Sequence, residues 1–327
     1  MKSNVIDIIG GSGFIGASLA MRLRELNLDF NILDIEKPKF ENAPFKFADV
    51  RNFSSLSDSI SRSSIIINLA AIHRDDIHPE SLYFETNVDG AEKICMAAED
   101  KCIEQIIFTS SVAVYGQNLE IVSEDNTPLP CNPYGQSKLQ AEEVFIRWQM
   151  RDPSKRSLTI IRPTVIFGPS NRGNFYNLIH QIFKNNFLMI GGGKNKKSIA
   201  YVENLVDFIL YSIKFPPGIH VYNYVDAPDL SMNELIRLIY HSMGSHRQSL
   251  FRIPYSIGYS IGMIFDIFST ALGRKLPISR MRVRKFCSNS IFSTKSIEIG
   301  FKPRFSLVDS VHKTVKYEYK KFLENKK

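Results

Sequence analysis

Absences narrow the reading first. The chain holds only four cysteines, Cys95, Cys102, Cys131 and Cys287, and no pair has CxxC spacing. That excludes a disulfide frame and a cysteine-built zinc site, and points to the reduced thiols of a cytoplasmic protein. His73 and His78 do not stand at a ligand spacing, so no metal is expected. Low-complexity segments and internal repeats are missing, which excludes solenoids and disordered tails. No apolar run is both long and uninterrupted. The most lipophilic stretch, Ile253–Gly273, is broken by Asp266 and by several Ser, Thr and Gly. It reads as a buried or interfacial helix, with peripheral membrane contact as its boldest form. The opening MKSNVIDIIGGSGF starts with charge, but its apolar run breaks at once into glycines, as in a buried strand and not a secretory leader.

Charge is the lopsided feature. The formal net charge is +8, with many of the cations late, in SRMRVRKF (Ser279–Phe286) and the terminal KYEYKKFLENKK. Nucleic acid, an anionic membrane and a small anionic substrate each suit such a balance, and charge alone does not choose among them. No nucleic-acid-binding motif accompanies it, so nucleic acid is not an expected partner.

The first half alternates β-branched apolar runs with amphipathic segments. NVIDIIG, FNILDIE, SSIIINLAA, EQIIFTSS and SLTIIRPTVIFG read as strands. FIGASLAMRLRELN, LYFETNVDGAEKICMAAEDK and NPYGQSKLQAEEVFIRWQM read as helices. That order implies a parallel sheet with helices on both faces. After Gly168 the pattern loosens. NFYNLIHQIFKNN is a helix, SIAYVENLVDFILYSI a short strand running into a helix, and GIHVYNYVD a last sheet strand. Beyond about Pro228 the chain is mostly helical. The expectation is an α/β fold: a doubly wound parallel Rossmann sheet over residues 1–170, completed by about 197–225. A smaller, mostly helical substrate lobe takes residues 171–196 and 226–327.

Gly10, Gly13 and Gly16 sit in GGSGFIG, directly after a strand and opening a helix. This is the context a dinucleotide fingerprint requires. One glycine permits the tight turn, the next lets backbone approach the pyrophosphate, and the third allows close helix packing. The helix N-terminus then faces the phosphates. Asp34 ends the second strand, where a carboxylate accepts hydrogen bonds from the adenosine ribose and repels a 2′-phosphate. NAD is the expected cofactor; Lys37 and Lys39 nearby keep NADP open.

Seven motifs in order then resemble the extended short-chain dehydrogenase/reductase family, in its nucleotide-sugar epimerase/dehydratase branch. They are GGSGFIG, ADV (Ala48–Val50), NLAA (Asn68–Ala71), TNVDGA (Thr86–Ala91), FTSSVAVYG (Phe108–Gly116), YGQSK (Tyr134–Lys138) and RPTVIFGP (Arg162–Pro169). The resemblance covers Val5 to about Val225. It implies that Phe14 and Ile15 join the glycine loop in the cofactor set, that Asp49 and Val50 border the adenine, and that Leu69, Ala70 and Ala71 line the path beyond the pyrophosphate. It adds Pro163 to that set, makes Asn87 a structural hydrogen-bonder, and makes Ser111, Tyr134 and Lys138 the catalytic group, the last two also touching the cofactor.

The chemistry suits these residue types. Four residues on a helix place Tyr134 and Lys138 on one face. A phenol with its ordinary pKa near 10 is too weakly acidic to serve as a base at neutral pH. A lysine ammonium and a positive nicotinamide ring both favour phenolate. Tyr134 then exchanges a proton with a substrate oxygen while hydride moves, and Ser111 holds that oxygen.

Dehydratases of the branch carry an Asp-Glu pair where this chain has TSSV, so Ser110 and Ser111 imply an epimerase or a 4-ketoreductase. Asn174 matches the position where the branch contacts the nucleotide diphosphate. Lys197 stands where the branch often has Arg, and Arg252 and the RMRVRK run supply further cations. His73, with Arg74 and Asp75, follows the strand into the site and is a candidate for the sugar ring or for a loop salt bridge. The implied activity is NAD(P)-dependent hydride transfer at a carbinol or ketone carbon of a UDP-hexose or UDP-N-acetylhexosamine, in bacterial O-antigen or capsule synthesis. Two alternatives stay open. RPTVIFGP and the apolar helix also suit a hydroxysteroid-type dehydrogenase of a hydrophobic alcohol. A catalytically silent NAD-sensing regulator uses the same fold but often loses the Tyr or the Lys. A homodimer through about Ser81–Asp100 and Asn132–Met150 completes the expectation.

Overall fold

The β-branched runs of the first half are buried on both faces, as central strands of a parallel sheet must be. The computed structural model describes residues 5–62, 64–74, 77–116, 121–245, 251–272 and 279–326, with side chains of the 251–272 stretch described as far as residue 268. In chain order come β1 (Ile6–Ile9), α1 (Phe14–Glu25), β2 (Phe30–Asp34), β3 (Phe45–Phe47), α2 (Phe53–Ser59), β4 (Ile65–Asn68), α3 (Ser81–Asn87), α4 (Asp89–Asp100), β5 (Gln105–Thr109), α5 (Pro133–Met150) and β6 (Ser157–Pro163). The strand Gly218–Tyr224 returns to pair with β6. Across the sheet the order is Gly218–Tyr224, β6, β5, β4, β1, β2, β3, with every pairing parallel. The chain winds one way from β1 to β3 and the other way from β4 onward. The crevice beyond the carboxyl ends of β1 and β4 is therefore the switch point where such sheets bind ligands.

The second half adds α6 (Asn174–Phe183), α7 (Val202–Ser212), α8 (Met232–Ser242), α9 (Tyr255–Leu272), α10 (Arg280–Cys287) and α11 (Leu307–Glu324). One apolar core joins Phe175, Ile179 and Phe183 of α6, Leu235, Ile236 and Ile239 of α8, and Val311, Val315 and Phe322 of α11. A separate core lies under the sheet, where α1 and α7 cover β1, β2 and β4.

Three local features depart from the sequence pattern. LYFETNVDGAEKICMAAEDK forms two helices that meet at Val88, and the break coincides with Asn87 turning its side chain inward to Ile72 and Ser137. SLTIIRPTVIFG also divides. Pro163 brings no N–H to the ladder; Thr164 donates to the Tyr224 carbonyl, and Val165–Phe167 leaves the sheet to pair with Ile199–Tyr201. Phe301, late in the chain, packs in the sheet core against Phe208 and Tyr224, with ring centroids 5.0 and 6.2 Å away.

Candidate active site

The loop between β1 and α1 is built for close approach. Gly10 has φ of +76°, and a Cβ there would lie 2.5 Å from the Ala70 backbone nitrogen. Only glycine lets the β1 and β4 loops touch. Gly13 precedes α1 without a side-chain cap, and no acid stands in the first turn. The amides of Phe14, Ile15 and Gly16 thus meet the requirement of a pyrophosphate. The side chains of Phe14 and Ile15 are half-buried and pack on the second-half core. Asp34 closes the loop mouth: its Oδ2 accepts from Ser12 N–H at 2.9 Å and its Oδ1 from Glu36 N–H at 3.1 Å. Leu69 and Ala71 flank Ala70 on the strand-end loop, and Leu69 N–H donates to the Ile9 carbonyl. Asp49 is clamped by Arg51 at 2.7 Å, a hydrogen-bonded pair that holds its carboxyl below the usual range. Arg51 went unnoticed in the sequence because nothing in its spacing marked it. Val50 is buried beneath, against Gly90. This set fits a dinucleotide: a backbone cradle, an acid at the ribose end, and no side chain filling the turn.

The other wall is α5. Asn132 caps it by accepting from Gly135 N–H at 2.7 Å, and Pro133 starts it. Its first turn presses on the 3-10 turn Val112–Tyr115, where a Cβ on Gly135 would sit 2.5 Å from the Ala113 carbonyl oxygen. Ser111 opens that turn and accepts from Ala113 N–H at 3.1 Å. Its neighbour Ser110 is buried, with a hydroxyl that has no hydrogen-bond partner among the described residues. Tyr134 lies half-buried on the first turn of α5, its ring 6.4 Å from that of Tyr83. Lys138, one turn further, is fully enclosed. Its Nζ donates to the Thr109 carbonyl at 2.6 Å and rests 4.1 Å from the centre of the Phe108 ring. Burial pulls this ammonium down to about 7, against a smaller opposing pull from Glu142. Pro163 ends β6, buried beside Tyr224. The structure thus gathers Ser111, Tyr134 and Lys138 around the carboxyl end of β5.

Two buried networks hold this geometry. Asn87 accepts from Ile72 N–H at 2.9 Å and donates to the Ile72 carbonyl and to Ser137 Oγ, so the β4 loop and α5 share one tether. Ser137 in turn donates to the Tyr134 carbonyl at 2.8 Å. Glu142 grips Arg162 through two hydrogen bonds of 2.9 and 2.6 Å, and Arg162 donates to the Tyr115 hydroxyl, which donates to Asn223. Sequence reading placed Arg162 inside a motif without seeing this role, because its partner stands twenty residues earlier on a helix that the motif does not include.

Of the cations expected at the substrate, Lys197 and Arg252 flank one pocket of about 380 Å³ without lining it. Gly191–Gly193, Lys194, Asn195, Tyr255 and Arg284 line it. Lys197 Nζ donates to the Lys285 carbonyl at 2.8 Å, and burial lowers its ammonium. Arg252 donates to the Gly192 carbonyl at 2.9 Å and to Asn233 Oδ1 at 3.1 Å. Both cations therefore brace the walls, while Lys194 and Arg284 line the pocket itself. Asn174 is exposed at the start of α6, and His73 is exposed on the loop after β4. Asp75 and Gly273 lie outside the described residues.

The profile of the NAD dependent epimerase/dehydratase family matches residues 6–224. The chain is 44% identical over 323 residues to the N-acetyl-α-D-glucosaminyl-diphospho-ditrans,octacis-undecaprenol 4-epimerase of Escherichia coli O157:H7, covering 98% of this chain and 96% of that protein. It is 28% identical to the UDP-glucose 4-epimerase of Vibrio cholerae, over 70% of this chain and 73% of the other. Among solved structures, the UDP-glucose 4-epimerase of Thermotoga maritima with UDP-glucose superposes with a TM-score of 0.76 at 20% identity, covering 97% of this chain and 99% of that one.

Proposed function

The chain belongs to the NAD-dependent epimerase/dehydratase family, and from that premise we propose that it inverts carbon 4 of an N-acetylhexosamine carried on a diphosphate. The first reading puts a polyprenol on the far side of that diphosphate. It is carried by the 44% identity to a polyprenol-diphosphate sugar 4-epimerase across 98% of this chain. A UDP-N-acetylhexosamine is the second reading, supported by Asn174 and Lys197 at the branch's diphosphate positions. In either case the enzyme serves surface-polysaccharide synthesis on the cytoplasmic side.

Gly10, Gly13, Asp34, Ala70 and Lys138 would hold NAD, which when bound takes up a hydride from carbon 4 and gives it back. The remaining chemistry belongs to this chain. The Tyr134 phenol oxygen removes the 4-hydroxyl proton and later restores it. Lys138 favours the ionised phenol from the next turn of α5. Ser111 Oγ holds the sugar oxygen in place. Lys194 and Arg284, on walls braced by Lys197 and Arg252, neutralise the diphosphate and leave the ring free to present either face. The same proposal includes a homodimer through α3 with α4 and through α5, where exposed Met96 and Met150 supply apolar surface.

The test is direct. The purified protein is denatured to count released NAD, then assayed on N-acetylglucosaminyl diphosphate linked to a polyprenol and on UDP-N-acetylglucosamine. Stoichiometric NAD and conversion without net NADH use support the epimerase. Consumption of one NADH per product assigns a ketoreductase instead, and turnover confined to apolar alcohols assigns a dehydrogenase.

A further inference from the structure

We infer that α9 and α10 form a docking surface for an anionic phospholipid bilayer. Ile257 is 52% exposed, Ile264 52%, Ile267 69% and Phe268 56%, and Met263 is exposed as well. At a helical period these positions form one continuous outward stripe, joined by Ser256 and Ser260. The inward face packs closely at two glycines. A Cβ on Gly258 would lie 2.6 Å from Ile190, and one on Gly262 would lie 2.7 Å from the Arg280 backbone nitrogen. Asp266, the only acid of α9, is half-exposed and tied to α10. It accepts from Arg280 N–H at 3.3 Å and pairs with its guanidinium at 3.5 Å. The helix buries its glycines, ties its acid to Arg280, and leaves these five apolar side chains exposed. A continuous apolar face of this kind marks an interaction surface.

Charge selects the occupant. α10, packed along α9, carries Arg280, Arg282, Arg284 and Lys285 and no acid. Arg282, Arg284, Lys285 and Met281 are exposed beside the stripe. A second copy of the chain would bring these cations against themselves, whereas an anionic lipid surface accepts both the cations and the apolar stripe. Among the described residues no helix is long and apolar enough to cross a membrane, so α9 lies on the bilayer and does not span it. The inference deepens the proposed function and in that respect rests on it: Tyr255 of α9 and Arg284 of α10 border the diphosphate pocket, which docking would bring to the depth of a carrier lipid's headgroup.

Flotation of the full chain with vesicles tests this without any turnover. The probes are vesicles of equal parts phosphatidylglycerol and phosphatidylcholine, and vesicles of phosphatidylcholine alone. The chain should float with the anionic vesicles, poorly with the neutral ones, and less as salt rises. Ile264→Asp with Ile267→Asp should weaken partitioning by more than about a hundredfold. Arg282→Gln with Lys285→Gln should weaken it by about tenfold or more. Thermal melts check that both variants fold. Turnover of a water-soluble short-prenyl N-acetylglucosaminyl diphosphate by the aspartate variant should match the parent chain. Vesicle binding without turnover would sink the functional reading and leave the docking surface standing. Failure to float, equal flotation by both variants, or a dimer that the aspartates split without vesicle binding would overturn the docking surface and leave the epimerase untouched.

Discussion

Replacing Lys138 by Met keeps an apolar stem on the Phe108 ring and removes the ammonium. Burial holds that ammonium down to about 7 from its ordinary 10.5. Between those values the unfolded lysine is protonated and the folded one is increasingly not. The unfolded chain therefore binds more protons, and stability rises with pH across the window. The wild-type protein carries its full penalty below about pH 7 and sheds it as pH approaches 10.5. A displacement of that size corresponds to about 4 kcal/mol between the two ends of the window. Met carries no such penalty but loses the 2.6 Å hydrogen bond to the Thr109 carbonyl, a net loss of about 1 kcal/mol. The two stability curves should cross. Near pH 10.5 the variant is less stable by up to about 1 kcal/mol, and at pH 7 it is more stable by about 3 kcal/mol. Urea unfolding of coenzyme-free protein, stepped through this range, reads the difference, since the other titrating groups are common to both proteins and cancel. Parallel curves, or a variant less stable at pH 7, would refute the account of a buried lysine held near its titration point. The gain in stability should come with lost turnover, because the residue that strains the apo fold is the one that tunes Tyr134.

Tyr134→Phe should retain bound NAD while lowering turnover by about a thousandfold or more, read by coenzyme release and product formation on the same preparation. Asn87→Ala should cost about 1–3 kcal/mol in urea unfolding. Because its tether joins the β4 loop to α5, kcat should fall more than KM rises; unchanged kcat would make Asn87 merely structural. Glu142→Gln leaves Arg162 in a buried site without its carboxylate and should destabilise by about 3–5 kcal/mol, measured as a shift in urea midpoint. Gly10→Ala should abolish coenzyme retention, because its Cβ meets the Ala70 backbone.

Much of the site was legible where chemistry repeats at short range. The glycine turn, Asp34 at a strand end and the Tyr134–Lys138 pair are local patterns, and the fold places each on the element that its spacing implied. The sheet was legible too, because runs such as IIIN and IDII have no other stable home than a strand buried on both faces. What stayed hidden depends on residues distant in sequence. Glu142 finds Arg162 only because α5 crosses β6. Arg284 lines the pocket only because α10 folds back on the Gly191–Gly193 loop. The division of SLTIIRPTVIFG at Thr164 was missed because continuous apolarity outweighed a proline that cannot donate to a ladder.

The strand Gly218–Tyr224 and the Phe301 ring that covers it bear on how the chain is made. When the ribosome has finished β6, that strand presents an open edge, and its partner is still to be synthesised, beyond α6 and α7. Phe301, which seals the same core, emerges later still, and α11 with Phe322 comes last of all. Neither half is complete when its first residues leave the exit tunnel. The nascent chain therefore waits with an exposed apolar edge until Gly218–Tyr224 and then Phe301 have emerged, the stage at which such edges recruit holding chaperones or aggregate. Truncation at the apparent end of the first half should accordingly give insoluble protein, not a free-standing coenzyme-binding unit.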